Sequence, residues 1–454
     1  MDSISTDILL LLLVLICLLP TPSSRDKGKL PPGPRPLPLL GNLLLLHSQN
    51  MLTSLTKLSK EYGSVYTVHL GSRRVVVLSG YLAMKEALVD QGEEFSGHAG
   101  PVLFSLGIAF SNGDRWKVLR RFSIQILRNF GMGKRSIEER ILEEGSFLLA
   151  ELRKTEGEPF DPTFVLSRLV SNIICSVLFG SCFHYDDERL LTIIRLINDS
   201  LQIMSGPWGE LYNIFRSLLD WVPEPHQRMF QNFKCLRDLI AHSVHDYQAS
   251  LDPRSPRDFI DCFLTKMAEE EDPLSHFHMD TLLMTTHNLL FGGTEPVGTT
   301  LRQAFLALMK YPKVQGEAHP HNHPTMPYTD AVIHQVQRFA DIIPMNLPHR
   351  LTQDTAFCGF LIPKGTDIIT LLNIIHYDPS QFLMPQEFNP EHFWMPIRRR
   401  LCLGESLARV ELFLYLTAIL QSFSLQPLGV PEDIDLTPLS PGPGNLPRPF
   451  QLCL

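Results

Sequence analysis

Residues 398–413 read RRRLCLGESLARVELF, and the fold turns on what that stretch is taken to be. From Glu405 to Phe423 apolar residues fall on nearly every side of a helix (Leu407, Val410, Leu412, Phe413, Leu414, Leu416, Ile419, Leu420), the pattern of a helix sunk in the core of a large domain. Cys402 stands just ahead of it. A thiolate there would face the unpaired N–H groups of the first turn and the guanidinium groups of Arg398, Arg399 and Arg400, all of which favour an anionic sulfur. A stable thiolate is a ligand for iron, and Gly404 would let the backbone approach closely. The competing reading is a small apolar cysteine packed in the core beside a solvated run of arginines.

Working outward, the whole chain has the composition that such a buried helix requires. Its 454 residues are 44% hydrophobic and 19% charged, below the roughly 25% charged of an average globular chain. Disorder over most of the length is excluded. Forty basic against 48 acidic residues give a net charge of −8, which does not suggest a nucleic-acid partner. The 8 cysteines are scattered without a CxxC, so neither a disulfide framework nor a zinc finger is indicated.

At the N-terminus, Ile8 to Leu19 is an unbroken apolar run, preceded by Asp2 and Asp7 and followed by Arg25, Lys27 and Lys29. Twelve residues is short for a spanning helix, but these flanks are those of a retained anchor with the downstream chain cytosolic, rather than of a cleaved signal. The expected organisation is an anchor over 1–24, a basic and Pro-rich hinge over 25–42, and a single domain over 43–454. Within that domain, Val65–Leu70 and Val75–Leu78 form a hairpin across Gly-Ser-Arg-Arg, and Asp367–Leu372 reads as a further strand. Helical spacing dominates elsewhere. Met284 to Met309 is one long apolar helix broken at Gly292, Gly293 and Pro296. The fold class is therefore mainly α with a small β element. His319, His321 and His323 alternate in a Pro-rich connection; without a carboxylate or Cys partner a solvated linker is preferred over a metal site.

Seven motifs occur in order: LPPGPRPLPLLGN (30–42), WKVLR (116–120), FGGTE (291–295), IHQVQRF (333–339), LPHR (347–350), FNPEHF (388–393) and RRLCLGESLAR (399–409). Through them the chain resembles the cytochrome P-450 superfamily of haem-thiolate monooxygenases, specifically its microsomal family two and close to the F subfamily. The resemblance implies the P-450 fold, with haem (iron protoporphyrin IX) between the long central helix and the cysteine-bearing helix. Cys402 would be the proximal iron ligand, whose electron-rich sulfur favours cleavage of the O–O bond. Trp116, Arg120, His349 and Arg400 would hold the propionates, carboxylates that need such donors in an apolar pocket. Gly292 and Gly293 would lie against the cofactor, and Glu295 and Thr294 would handle protons. The implied partners are an NADPH-dependent flavoprotein reductase and cytochrome b5, with Lys117, Arg121 and Arg398 to Arg400 as a basic docking face. An endoplasmic-reticulum membrane and small hydrophobic, aromatic xenobiotic substrates are implied too, with Phe104, Phe110, Phe291 and Met345 as pocket walls.

Several positions depart from the family pattern. Met395 and Arg398 replace a Phe and a Gly ahead of the cysteine, and His98 stands where relatives commonly carry an arginine. Pro296 replaces the threonine whose hydroxyl relays protons, which predicts leakage of reduced oxygen in place of coupled hydroxylation. Gln335 replaces the glutamate that neutralises Arg338. Three segments are short: Gly97–Leu106, Gly316–Thr325 and the stretch between Phe393 and the cysteine. A degraded relative that binds haem poorly and does no catalysis is the alternative; a third reading is a membrane-tethered helical scaffold that never bound haem.

Overall fold

The computed structural model describes residues 30–38, 40–46, 51–98, 106–130, 135–206, 209, 212, 225–270, 275–318, 326–393, 402–439 and 444–454. The apolar run 8–19 with its basic flank, Phe104, the three alternating histidines, and Met395 with Arg398, Arg399 and Arg400 lie outside the described residues. So does most of the three short segments. Among the described residues no helix is long and apolar enough to cross a membrane.

The main helices are α1 (Met51–Tyr62), α2 (Gly113–Asn129), α3 (Arg135–Arg153), α4 (Thr163–Phe179), α5 (Glu188–Ser205), α6 (Pro225–Ala249), α7 (Phe259–Glu269), α8 (Met279–Lys310), α9 (Pro327–Ala340) and α10 (Glu405–Ser422). Helix α8 is the axis of the molecule. It packs on α4, α6, α9 and α10, carries Asp280 in its first turn and Lys310 in its last as the helix dipole favours, and is buried along most of its length. The break expected at Gly292, Gly293 and Pro296 is absent, and the helix runs through all three. Proline has no N–H to give the carbonyl of Gly292, four residues back, but the packing on both flanks outweighs that single lost hydrogen bond. Gly293 is required for one of those contacts, because a Cβ there would lie 2.7 Å from Ile174 Cγ1 on α4. Gly293→Val is expected to lower stability by about 1–3 kcal/mol through overpacking, measured by denaturant unfolding.

A mixed sheet in the order β1-β2-β7-β4-β3 forms the second layer. Strands β1 (Val65–Leu70) and β2 (Arg73–Leu78) pair antiparallel, and β7 (Asp367–Thr370) joins β2 in parallel. The hairpin turn is shorter than expected, since Arg73 and Arg74 belong to β2 and only Gly71 and Ser72 connect the strands; Gly71 supplies the positive φ of 62°. Strand β7 stops at Thr370, and Leu372 opens a short helix, Leu372–His376. The edge pair β3 (Gly97–His98) and β4 (His349–Arg350) brings together residues more than two hundred positions apart. Strands β5 (Thr355–Phe357) and β6 (Phe360–Ile362) make a separate hairpin, and β8 (Gln426–Pro427) pairs with β9 (Leu452–Cys453). From residue 30 the Pro-rich segment lies against β1: Thr67 donates its backbone N–H to Pro32 at 2.7 Å, and Gly41 bridges Leu70.

Hydrophobic packing divides the same way. One core gathers the helices around Leu166, Ile173, Leu290, Phe305 and Leu416. A second underlies the sheet around Tyr66, Val76, Phe95 and Ile368. A smaller cluster of Met229, Phe233 and Met284, with Phe110 and Phe291 packed on it, sits where α6 meets α8.

Candidate haem site

The reading of Cys402 as a small core residue does not hold, because the side chain is exposed. It stands two residues ahead of Gly404, the N-cap of α10, and its carbonyl accepts from Glu405 N–H at 3.4 Å. Helix α10 is held by its buried face, Leu407, Leu412, Leu416 and Ile419, so its first turn and free N–H groups present at a fixed place. Gly404 has an ordinary φ of −95°, and a Cβ built on it meets no atom within 4 Å.

Sheet pairing assembles one group of donors. His98 and His349 are register partners across β3 and β4, with ring centroids 5.0 Å apart. His349 Nδ1 is fixed by the carbonyl of Phe95 at 2.8 Å. His98 is held through its backbone, its N–H donating to Asn112 Oδ1 at 2.6 Å, while its Nδ1 is buried with no hydrogen-bond partner. Burial pushes the His98 imidazole below its ordinary pKa, opposed by a hydrogen bond to Pro348. The second group lies on α2, where the Arg120 guanidinium sits 5.4 Å from the Trp116 ring and both residues are half-buried. His98 was visible in the sequence as a substitution; its pairing with His349 was not, because two-residue strands leave no periodic signal.

On α8 the residues of FGGTE point different ways. Gly292 is exposed and a Cβ there would meet nothing within 4 Å. Thr294 and Glu295 are buried. The Thr294 hydroxyl accepts from Ser171 of α4 at 3.3 Å. Glu295 Oε1 accepts from Thr299 at 2.8 Å and from Arg302 at 2.6 Å, a pair almost wholly out of solvent. Glu295 Oε2 is buried without a partner. Of the expected pocket walls, Phe110 and Phe291 share the small α6–α8 cluster. Met345 does not join them; it packs in the core beneath the sheet, because it lies in the turn that leads into β4.

His287, unremarked in the sequence, fills the same cluster. Its ring lies 5.2 Å from Phe233 and stacks on Phe291, and neither nitrogen has a hydrogen-bond partner among the described residues. Burial lowers its pKa from 6.5 to about 4. Between those values the unfolded chain takes up a proton that the folded one refuses, so stability is full above pH 6.5 and falls as pH drops toward 4. The loss is about 3 kcal/mol at the acid end. Unfolding of His287→Phe measured across this range should show a shallower acid slope than the parent chain.

Gln335, in the place of a glutamate, is fully buried and still orders Arg338: its Oε1 accepts from Arg338 Nε at 3.0 Å and its Nε2 donates to the Glu387 carbonyl at 3.2 Å. The Arg338 guanidinium also donates to the carbonyls of His376, Pro385 and Glu387. Every nitrogen of the cation thus meets an acceptor, although burial pushes its pKa down. Gln335→Glu would give the Arg338 Nε bond a charged acceptor but lose the amide's donation to the Glu387 carbonyl, so a net stabilisation of about 1 kcal/mol is expected, seen in the melting temperature.

These residues fit a haem group. An exposed sulfur at a helix mouth, two glycines with open space beside them, and a buried histidine nitrogen lacking a partner are the donor types and clearances that an iron porphyrin with two propionates requires.

The sequence profile of the cytochrome P450 family matches residues 31–454. The chain is 81% identical to cytochrome P450 2F5 of Gorilla gorilla gorilla, 80% to cytochrome P450 2F1 of Homo sapiens and 71% to cytochrome P450 2F2 of Mus musculus, each over 488 positions covering 100% of this chain and 99% of the relative. Since the chain has 454 residues, about 34 of those 488 positions fall in gaps of this chain, in keeping with shortened segments.

Proposed function

Because the chain belongs to the cytochrome P450 family, within family two and its F subfamily, and is a haem-thiolate monooxygenase, we propose that it oxidises small hydrophobic xenobiotics, aromatic ones included. The observation that carries the reading is the exposure of Cys402 directly ahead of a buried helix. Bound haem supplies the activation of dioxygen with electrons that come from NADPH through a reductase.

This chain's own residues do the rest. Cys402 would ligate the iron, its thiolate favoured by the N–H groups at the mouth of α10. His98, His349, Trp116 and Arg120 would hold the propionates, with Arg400 completing the set, and Gly292 would leave room beside the cofactor. Phe110 and Phe291 would exclude water from an apolar substrate. Glu295, through its unpartnered Oε2, would hold a proton, with Thr294 behind it. Lys117 and Arg121, both exposed on α2, would receive an acidic reductase surface, with cytochrome b5 as a further donor. Residues 1–24 would anchor the chain in the endoplasmic-reticulum membrane and 43–454 would form the single cytosolic body.

The degraded, haem-poor relative is the less favoured reading, given identity of about four residues in five along the whole chain and the intact hydrogen-bond set around Arg338. The test is the visible spectrum of the reduced protein under carbon monoxide. A strongly red-shifted Soret band is expected. Haem uptake without that shift would remove Cys402 from the iron, and no uptake would overturn the proposal.

A further inference from the structure

Building on the reading of small aromatic substrates, we propose that His287 determines specificity by hydrogen-bonding the hydroxyl of a phenol. The residue stands on α8 one turn before Phe291 and is 3% exposed. Its ring is set among apolar side chains: Phe233 of α6 meets it at 71°, Phe291 lies over it at 14°, and Met229 and Met284 belong to the same cluster. Both imidazole nitrogens are buried there, and neither has a hydrogen-bond partner among the described residues.

Packing alone is a poor account of such a ring. Two polar nitrogens taken out of water without partners cost stability that a phenylalanine of similar size would not, and buried polar groups in folded proteins are almost always paired. The place of the cluster supplies a reason. Asn288, next in sequence, accepts from Ala109 N–H at 3.1 Å and so ties the segment that carries Phe110 to α8. Phe110 packs on the cluster, and its ring lies 6.3 Å from that of His98. The cluster therefore adjoins the side chains that would hold the haem propionates. Apolar walls with one convergent polar group have the composition of a ligand pocket, and Met229 and Met284 are side chains that re-pack easily around a guest.

The chemistry of the ring selects the ligand. Burial keeps the imidazole neutral, so it offers one N–H and one bare nitrogen. A hydroxyl accepts from the first or donates to the second, and either tautomer therefore serves it. A carbonyl could use only the N–H, and an ammonium would bring an unpaired charge into an apolar site. Phe233, Phe291 and Phe110 favour an aromatic body through edge and offset contacts. A phenol meets both demands.

The test measures dissociation constants of para-propylphenol and para-propyltoluene, which differ by a hydroxyl in place of a methyl group, from the change each causes in the Soret band of the full haem-loaded protein. The parent chain is expected to bind the phenol about tenfold more tightly, the factor that one net hydrogen bond supplies. His287→Phe should bring the ratio close to one while leaving para-propyltoluene bound, and His287→Gln, which keeps a donor and an acceptor, should restore most of the preference. A parent chain with no preference, or a preference that survives in the Phe variant, would overturn the role of His287 and leave the aromatic reading intact. If neither compound bound to protein that shows the red-shifted carbon monoxide band, the aromatic reading itself would fall, and the role of His287 with it.

Discussion

Cys402→Ser is expected to abolish the red-shifted carbon monoxide band and to bring turnover down to the background of haem-free protein. A serine hydroxyl has nearly the shape of the thiol but almost no tendency to ionise near neutral pH, so the N–H groups at the mouth of α10 have no anion to stabilise and iron loses its soft ligand. The fold should be indifferent, since Cys402 is exposed and makes no core contact; unfolding of the apoprotein measured beside the parent separates lost ligation from lost structure. A serine variant that kept both band and turnover would move the iron ligand to another residue.

The second large effect is a gain. Pro296→Thr should raise product formed per NADPH by about tenfold, short of the full 10²–10⁴ of a positioned proton donor, and lower hydrogen peroxide release in step. Both neighbouring candidates for that work are held in place: the Thr294 oxygen accepts from Ser171, and Glu295 Oε1 accepts from Thr299 and Arg302. The Thr294 proton and Glu295 Oε2 remain, and both residues are buried. The substitution also restores an N–H for the Gly292 carbonyl, so the variant should melt at a higher temperature. Product and peroxide unchanged in a folded, haem-loaded variant would show that proton delivery does not pass through this position.

Glu295 itself is tightly constrained. Arg302→Leu would leave a buried carboxylate without its cation, a change of the kind that costs about 3–5 kcal/mol, whereas Gln335 shows the reverse case, a buried arginine whose carboxylate has been exchanged for an amide and which keeps its hydrogen bonds. The asymmetry comes from geometry. Arg338 is surrounded by main-chain carbonyls that stay in place when a side chain changes, while Glu295 depends on side chains of its own helix.

Much of this was legible in the order of residues. The all-round apolar pattern after Glu405 gave α10, the long apolar run gave α8, and the hairpin showed as two valine-rich segments, because burial writes itself into composition at fixed periods. The family followed from seven short motifs in order. What those patterns could not carry was anything decided by distant partners. The break expected at Pro296 did not occur because α4, α9 and α10 hold α8 from outside. Which of the three clusters Met345 joins was likewise not legible, because an apolar residue carries no label for it. The exposure of Cys402, the pairing of His98 with His349, the isolation of His287 and the meeting of Arg73 and Arg350 on Asp367 were all settled by tertiary structure. Local sequence sets which segments coil or extend and what chemistry each side chain can do; only folding brings charges and ring nitrogens from remote segments within the few ångströms at which they act on each other.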